Sequence, residues 1–250
     1  MELKEKAMHV RELQTAKEIF IIMSVCTKMP YVYCDPDSYD DQVLLYLTEA
    51  DANKQVNEFK QSEIPTVVLK LENKQFLPFF ANLYLIGVNG IAVNHGTEHA
   101  WSLQLNDIVR RQEDNNKDEN KKLVENPEFQ LTALYLMQEA RRKKEIAKSE
   151  EFKELEEEMV AHLKKGTYIV AVQETEDKEK KNLPILKLPN GEVYQPIFTD
   201  ISEFMKFAKG KQLKPAVVPF SKLGAVVVKE AKGIVVNPLG VNLMLNKGQL

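Results

Sequence analysis

Apolar residues in this chain fall in short dense runs separated by charged stretches, the spacing of buried strands alternating with amphipathic helices. Ile19–Cys26 (IFIIMSVC), Val43–Thr48 (VLLYLT) and Thr66–Leu71 (TVVLKL) are rich in branched and aromatic residues and predict strands. Residues 3–18 carry Leu3, Met8, Leu13 and Ala16 among charges and predict a helix. Thr48 can cap a second helix by accepting a free backbone N–H, with Ala52, Val56 and Phe59 as its apolar stripe. Ile64-Pro65 ends it, because proline disfavours helical geometry in the residue before it. Phe76–Gly87 fits a buried helix or a strand, with Pro78 suited to a helix first turn. Gly90–Gly96 (GIAVNHG) reads as a short strand and a turn, and Ala100–Val109 as an edge strand.

The second half repeats this grammar. Asn126-Pro127-Glu128 opens a helix whose core side is Leu131, Leu134, Tyr135 and Met137. Ser149 starts another, with Phe152, Leu155, Met159 and Leu163 on one face and Gly166 at its end. Thr167–Gln173 is a strand. Two more flank Pro189-Asn190-Gly191, a hairpin signal because Asn-Gly accepts positive φ. Thr199 caps a helix over Ile201, Phe204, Met205 and Ala208, which Gly210 stops. PAVVPF, GIVVN and GVNLML are strands, while SKLGAVVVKEA fits either helix or strand.

Four blocks recur in the same order: IFIIMSV with TYIVAVQ, LLYLTEAD with QPIFTDIS, IPTVVL with KPAVVP, and GIAVNHG with GIVVNPLG. Thr48 then matches Thr199 at an offset of 151, Pro65 matches Pro215 at 150, and Gly90 matches Gly233 at 143. The expectation is an α/β (α+β) protein of two similar units, each a small mixed sheet flanked by helices. The first unit is placed at 1–109, a polar linker at 110–126, and the second unit with its leading helices at 127–250.

The block from Leu183 to Leu245, with its Asn-Gly turn, PIFTD strand end and GIVVNP, resembles the SseB family, named for enhanced serine sensitivity. The likeness is clearest over Asn126–Leu250 and reaches Ile19–Val109 only through the repeat, where His95 stands for Pro238 and the Asn-Gly turn is missing. The resemblance implies two SseB-like units, the first a degenerate copy, in a cytoplasmic bacterial α/β protein whose molecular activity is not defined.

Composition narrows the function classes. The net charge of −3 argues against a surface that attracts nucleic acid or acidic lipid as a whole. Residues 1–109 carry 9 basic against 15 acidic groups, and residues 167–250 carry 12 against 8. Cys26 and Cys34 imply no disulfide framework, no apolar run spans a membrane, and the charged N-terminus lacks the form of a secretory signal, so a cytoplasmic protein is expected. No phosphate-binding, dinucleotide or nucleophile-elbow motif occurs, and no cofactor is implied. His95 and His99 around Glu98 are the candidates for a metal, though the glycine between them favours a surface turn and no metal is expected. Asp35, Asp37, Asp40 and Asp41 lack the glycine and terminal glutamate of a calcium loop. The recurring Thr48, Asn94, Thr199 and Asn237 are the candidate binding residues, at a rim where strand ends meet helix starts. The same residues serve as helix caps and turn formers in any fold. The expected function is a non-catalytic binding or regulatory module with a protein partner. The alternatives are an enzyme of amino-acid or sulfur metabolism with a site between the units, and a weak nucleic-acid binder through the basic C-terminal unit.

Overall fold

The computed structural model describes residues 3–111, 123–142, 149–173 and 182–250. Most of the expected linker lies outside these residues, as does most of the lysine- and arginine-rich run after Arg142 and the charged loop after Gln173. The chain divides into two compact units, Met1–Glu113 with Gln138–Ser149, and Asp114–Met137 with Glu150–Leu250.

The first unit contains α1 (Leu3–Thr15), β1 (Glu18–Ser24), β2 (Val32–Cys34), β3 (Asp41–Tyr46), α2 (Glu49–Gln61), β4 (Thr66–Glu72), α3 (Phe76–Leu85), β5 (Gly90–Val93), β6 (Trp101–Gln104) and the short α4 (Leu105–Ile108). Its strands form one six-stranded sheet in the order β4-β1-β3-β5-β6, with β2 also paired to β3. Only β3 and β5 run parallel; every other pair is antiparallel. The second unit has α5 (Pro127–Arg142, whose last residues count with the first unit), α6 (Glu150–Lys165), β7 (Thr167–Gln173), β8 (Leu186–Lys187), β9 (Val193–Phe198), α7 (Ile201–Ala208), β10 (Leu213–Pro219), α8 (Phe220–Val226), β11 (Gly233–Val236) and β12 (Leu243–Asn246). Its order is β10-β7-β9-β11-β12, with β8 on β9 and a parallel β9–β11 pair. The two sheets thus share one topology, and the α/β reading with two similar units holds. Among the described residues no helix is long and apolar enough to cross a membrane.

The ladders correct the alignment of the repeat. Phe20 and Ile21 face Tyr46 and Leu45, whereas Ile169 and Val170 face Phe198 and Ile197, so β3 and β9 correspond at an offset of 152. Ser24 faces Thr66 and Gln173 faces Leu213, so β4 and β10 correspond at 147. Pro215 therefore matches Val68, not Pro65. The five-residue change in offset arises because α2 has 13 residues and α7 has 8. The two ambiguous segments are the helices α3 and α8, and the expected edge strand stops at Gln104 in favour of a helical turn. Gly90 and Gly233 match as read; a Cβ on Gly233 would come 1.9 Å from the Leu245 carbonyl oxygen, so only glycine lets β11 and β12 approach.

Each sheet packs one face on the helix after its third strand. Under α7 the contacts are aromatic: Phe198 meets Phe204 edge-to-face at 5.6 Å and Phe207 at 5.3 Å. The same three positions in the first unit are Tyr46, Ala52 and Gln55. There the Tyr46 hydroxyl donates 3.0 Å hydrogen bonds to Gln55 Oε1 and the His95 carbonyl. Burial pushes the Tyr46 phenol up, keeping it a neutral donor. One unit fills this layer with volume, the other with a satisfied polar contact. Phe204→Ala should therefore cost about 3–5 kcal/mol in urea unfolding, as a large cavity does. Tyr46→Phe should cost only about 1–2 kcal/mol, the penalty of unpaired acceptors.

Candidate functional site

The parallel strands β5 and β11 end on asparagines in the left-handed region, Asn94 at φ 51° and Asn237 at φ 46°. Asparagine tolerates this geometry better than other residues with a Cβ. Each places its carboxamide against the adjacent strand. Asn94 Nα–H donates to the Leu45 carbonyl at 2.8 Å, and its Oδ1 accepts from Leu47 N–H at 3.0 Å. Asn237 repeats this with Ile197 at 2.9 Å and Thr199 at 3.0 Å. The side chain adds one rung to the parallel ladder where the main chain turns away, and the next residue of the neighbouring strand starts a helix.

The caps of these helices occupy matched positions. Thr48 accepts from Asp51 N–H at 3.2 Å, and Asp200 accepts from Glu203 N–H at 2.9 Å. Asp200, not Thr199, is thus the counterpart of Thr48, and Thr199 is the counterpart of Leu47. The Thr199 hydroxyl is engaged elsewhere: it donates to Asp200 Oδ2 at 2.7 Å and accepts from Asn237 Nδ2 at 2.8 Å. A carboxylate one residue later takes the capping role and gains from the helix dipole.

Helix α5 closes this network in the second unit. Gln130 Nε2 donates to Asp200 Oδ2 at 2.9 Å, and Gln130 Oε1 accepts from Asn237 Nδ2 at 3.1 Å. Asn126 Nδ2 donates to the carbonyls of Thr167 and Thr199 at 2.8 and 2.7 Å, so this residue braces two strand ends. Gln130, Thr199, Asp200 and Asn237 are each at most 1% exposed. Sequence reasoning missed Gln130 and Asp200; the signal was the spacing Thr48-x-x-Asp51 against Asp200-x-x-Glu203. Glu203, packed against Gly240, is also buried. Burial raises its pKa, opposed by Lys206 Nζ at 2.5 Å.

In the first unit Asn94 instead lines a 320 Å³ depression with Glu5, His9, Glu12, His99 and Trp101. His9 stacks on Trp101 at 4.2 Å. The two candidate metal histidines part company: His99 lines this depression, while the His95 ring lies 5.4 Å from Tyr33. Among the described residues no three His, Cys, Asp or Glu side chains are grouped to hold a metal. Asp35 Oδ1 accepts from Asp37 and Ser38 N–H at 3.1 and 2.8 Å, which holds its carboxyl below the usual range and accounts for its place in the acidic loop. Burial pushes both thiols up, aided at Cys34 by Asp41, Asp35 and Asp40, which keeps them protonated and poorly nucleophilic.

The sheet edges differ between the units. At the ends of the β1–β4 ladder, Asn73 N–H donates to Lys17 and Val25 N–H donates to Pro65. By alternation, Val67, Leu69 and Leu71 bond β1, and the main chain of Val68 and Lys70 points away from the sheet. Among the described residues no strand pairs with that side. Val67 and Leu69 are 51% and 40% exposed. On β10, Phe220 N–H donates to Gly166, so Pro215, Val217 and Pro219 point outward. Pro215 stands where Val68 does and has no N–H to offer, a common way of blunting an edge.

Residues 144–250 match the family model described as SseB protein N-terminal domain. The C-terminal part of this chain is similar to the SseB family. The SseB match covers α6 to β12, hence the whole second sheet with Thr199, Asp200 and Asn237, and leaves out Asn126 and Gln130. No curated protein matches the chain. Two solved structures are similar: Tic22 from Plasmodium falciparum, at 13% identity, covering 86% of this chain and 84% of that one, and Anabaena Tic22 (protein transport), at 10% identity, covering 89% and 85%. Both have a TM-score of 0.23, which informs no reading of this protein.

Two outcomes follow for this network. Asn237→Ala strands the buried Thr199 N–H and removes the Nδ2 donor from Gln130 Oε1 and the Thr199 hydroxyl, and should cost about 3 kcal/mol in urea unfolding, against about 1–2 for Asn94→Ala, whose surroundings reach water. Glu203→Gln tests the buried carboxylate. A carboxyl whose pKa rises on folding destabilises the native state above that pKa and does so less as pH falls and it takes up its proton. The substitution should raise the melting temperature by a few degrees at neutral pH, from about 1 kcal/mol, and the gain should vanish as acid protonates the wild-type group.

Proposed function

We propose that this protein is a non-catalytic binding module that acts through protein contacts, and that β4 is its docking edge for an extended peptide segment. The observation that carries this reading is the contrast between the two edges. The same fold occurs twice, and the edge that is blocked by Pro215 and Pro219 in one unit is left with its Val68 and Lys70 main-chain groups outward in the other. A strand added along β4 would take its affinity from main-chain hydrogen bonds and its selectivity from alternate side chains meeting Val67 and Leu69. Those two apolar residues favour a segment with branched or aromatic residues at every second position. Lys70 forms an ion pair with Glu18, so the edge brings no unbalanced charge to the contact.

The test is selection of peptides from a displayed random library on the intact protein. Binders should carry alternating apolar positions. Val68→Pro, which copies the natural block of β10, should weaken their binding at least about tenfold, or roughly 1.4 kcal/mol. Val217→Thr on the opposite unit should leave it unchanged. Peptides indifferent to Val68→Pro would exclude β4 as the docking edge.

A further inference from the structure

We infer that the depression beside Asn94 binds a guanidinium group, held between His9 and the carboxylate of Glu12. The site goes beyond the β4 reading and does not depend on it, since β4 and β6 are opposite edges of the first sheet. Residues 5, 9 and 12 are spaced four and three apart along α1, so Glu5, His9 and Glu12 share one face of that helix. All three line the depression, together with His99 and Trp101 just before and at the start of β6. Among the described residues no lysine or arginine lines it, so its fixed charges are the two carboxylates.

The buried imidazole points to the ligand. His9 is only 8% exposed and stacks on Trp101, with ring centroids 4.2 Å apart and planes 20° from parallel, which fixes its orientation. Its Nδ1 is closed to solvent and has no hydrogen-bond partner. Glu12 Oε2 lies 3.5 Å away, an approach that falls short of a hydrogen bond. An unpaired nitrogen in that position is costly unless a ligand supplies the partner. On the neutral ring protonated at Nε2, Nδ1 and Glu12 Oε2 are two acceptors at one gap, and a single cation with several donors satisfies both. A guanidinium offers five N–H groups in a planar fork, accepts nothing, and is hydrated weakly enough to lie against aromatic rings; an ammonium is a strongly hydrated point charge. A metal ion suits the site less, because the carboxylates and imidazoles are not drawn into one coordination sphere. The other copy of the fold shows that the opening is not forced by topology. There Gln130 Oε1 accepts from Asn237 Nδ2 at 3.1 Å and the matching joint is sealed, whereas the joint at Asn94 borders an acid-lined depression.

Trp101 is the only tryptophan of the chain, so its indole N–H gives one NMR signal that reports on this depression. Titration of the full chain with butylguanidinium, followed by that signal, should give a saturable shift with a dissociation constant on the order of 1 mM. Butylammonium, of equal charge but without the fork, should bind about fivefold more weakly or worse. Glu12→Gln and His9→Phe should each weaken butylguanidinium about fivefold or more; the phenylalanine keeps a ring against Trp101 and removes Nδ1. Circular dichroism checks both variants, and Glu12 is exposed, so its variant carries the test if His9→Phe does not fold. A blocked pentapeptide with arginine among glycines separates the two sources of the group. Tighter binding of the peptide than of butylguanidinium supports an arginine side chain of a polypeptide as the ligand, and weaker binding supports a free small guanidine. Val68→Pro should leave all of these titrations unchanged, so that failure here and failure of the β4 reading are told apart. No saturable shift, equal binding of butylammonium, or binding indifferent to Glu12→Gln overturns the guanidinium site.

Discussion

A parallel strand that stops beside a neighbour has to leave a main-chain group of that neighbour without its next partner. Here the gap is filled twice by an asparagine carboxamide. Asn94 and Asn237 turn the chain through positive φ and use Oδ1 to accept the N–H that the lost rung would have bonded. The helix that covers the sheet begins within two residues of that N–H. Strand end, chain reversal and helix start are therefore tied to one side chain, and the sheet face buried by α2 or α7 depends on it.

Around this shared joint the two units diverge by exchanging polar satisfaction for volume. The second unit seals the joint with Gln130 and lines the helix with three phenylalanines. The first leaves Asn94 beside a depression and packs Ala52 under a tyrosine whose hydroxyl is bonded. Both solutions meet the rule that buried polar groups be paired, but the second does so with a connected network, in which removing one member strands several others. Glu203 is the member least at ease there, since its burial opposes the charge that Lys206 favours.

Most of the fold was legible because its signals are local. Dense branched runs, Asn-Gly at the hairpin, and Gly90 and Gly233 at the start of matching strands identify two α/β units and their order. Register was less legible. Pro65 and Pro215 look alike in sequence, yet one precedes its strand and the other lies within it, because a helix five residues shorter shifts every later position. Propensity does not record such a shift; hydrogen-bond ladders do. The joint was half legible: Asn94, Asn237 and Thr48 recur visibly, whereas Gln130 is distant in sequence and Asp200 was hidden behind a more obvious threonine. Long-range partners of buried amides leave no local trace.

The corrected register gives the edge strands their meaning. With Pro215 aligned to Pro65, proline would be a common boundary signal of both copies. Aligned to Val68, it becomes a difference between them at an outward-facing main-chain position. Proline there costs the sheet nothing, because the missing N–H was not bonded to β7, and it removes what an incoming strand would need. Proline at Val68 would be equally cheap for the ladder to β1. Valine at that position leaves β4 able to pair, and the exposed Val67 and Leu69 on the same strand give an added strand apolar surface to cover. Among the described residues, the duplicated fold thus holds one edge strand whose outward main chain carries prolines and one whose outward main chain carries none.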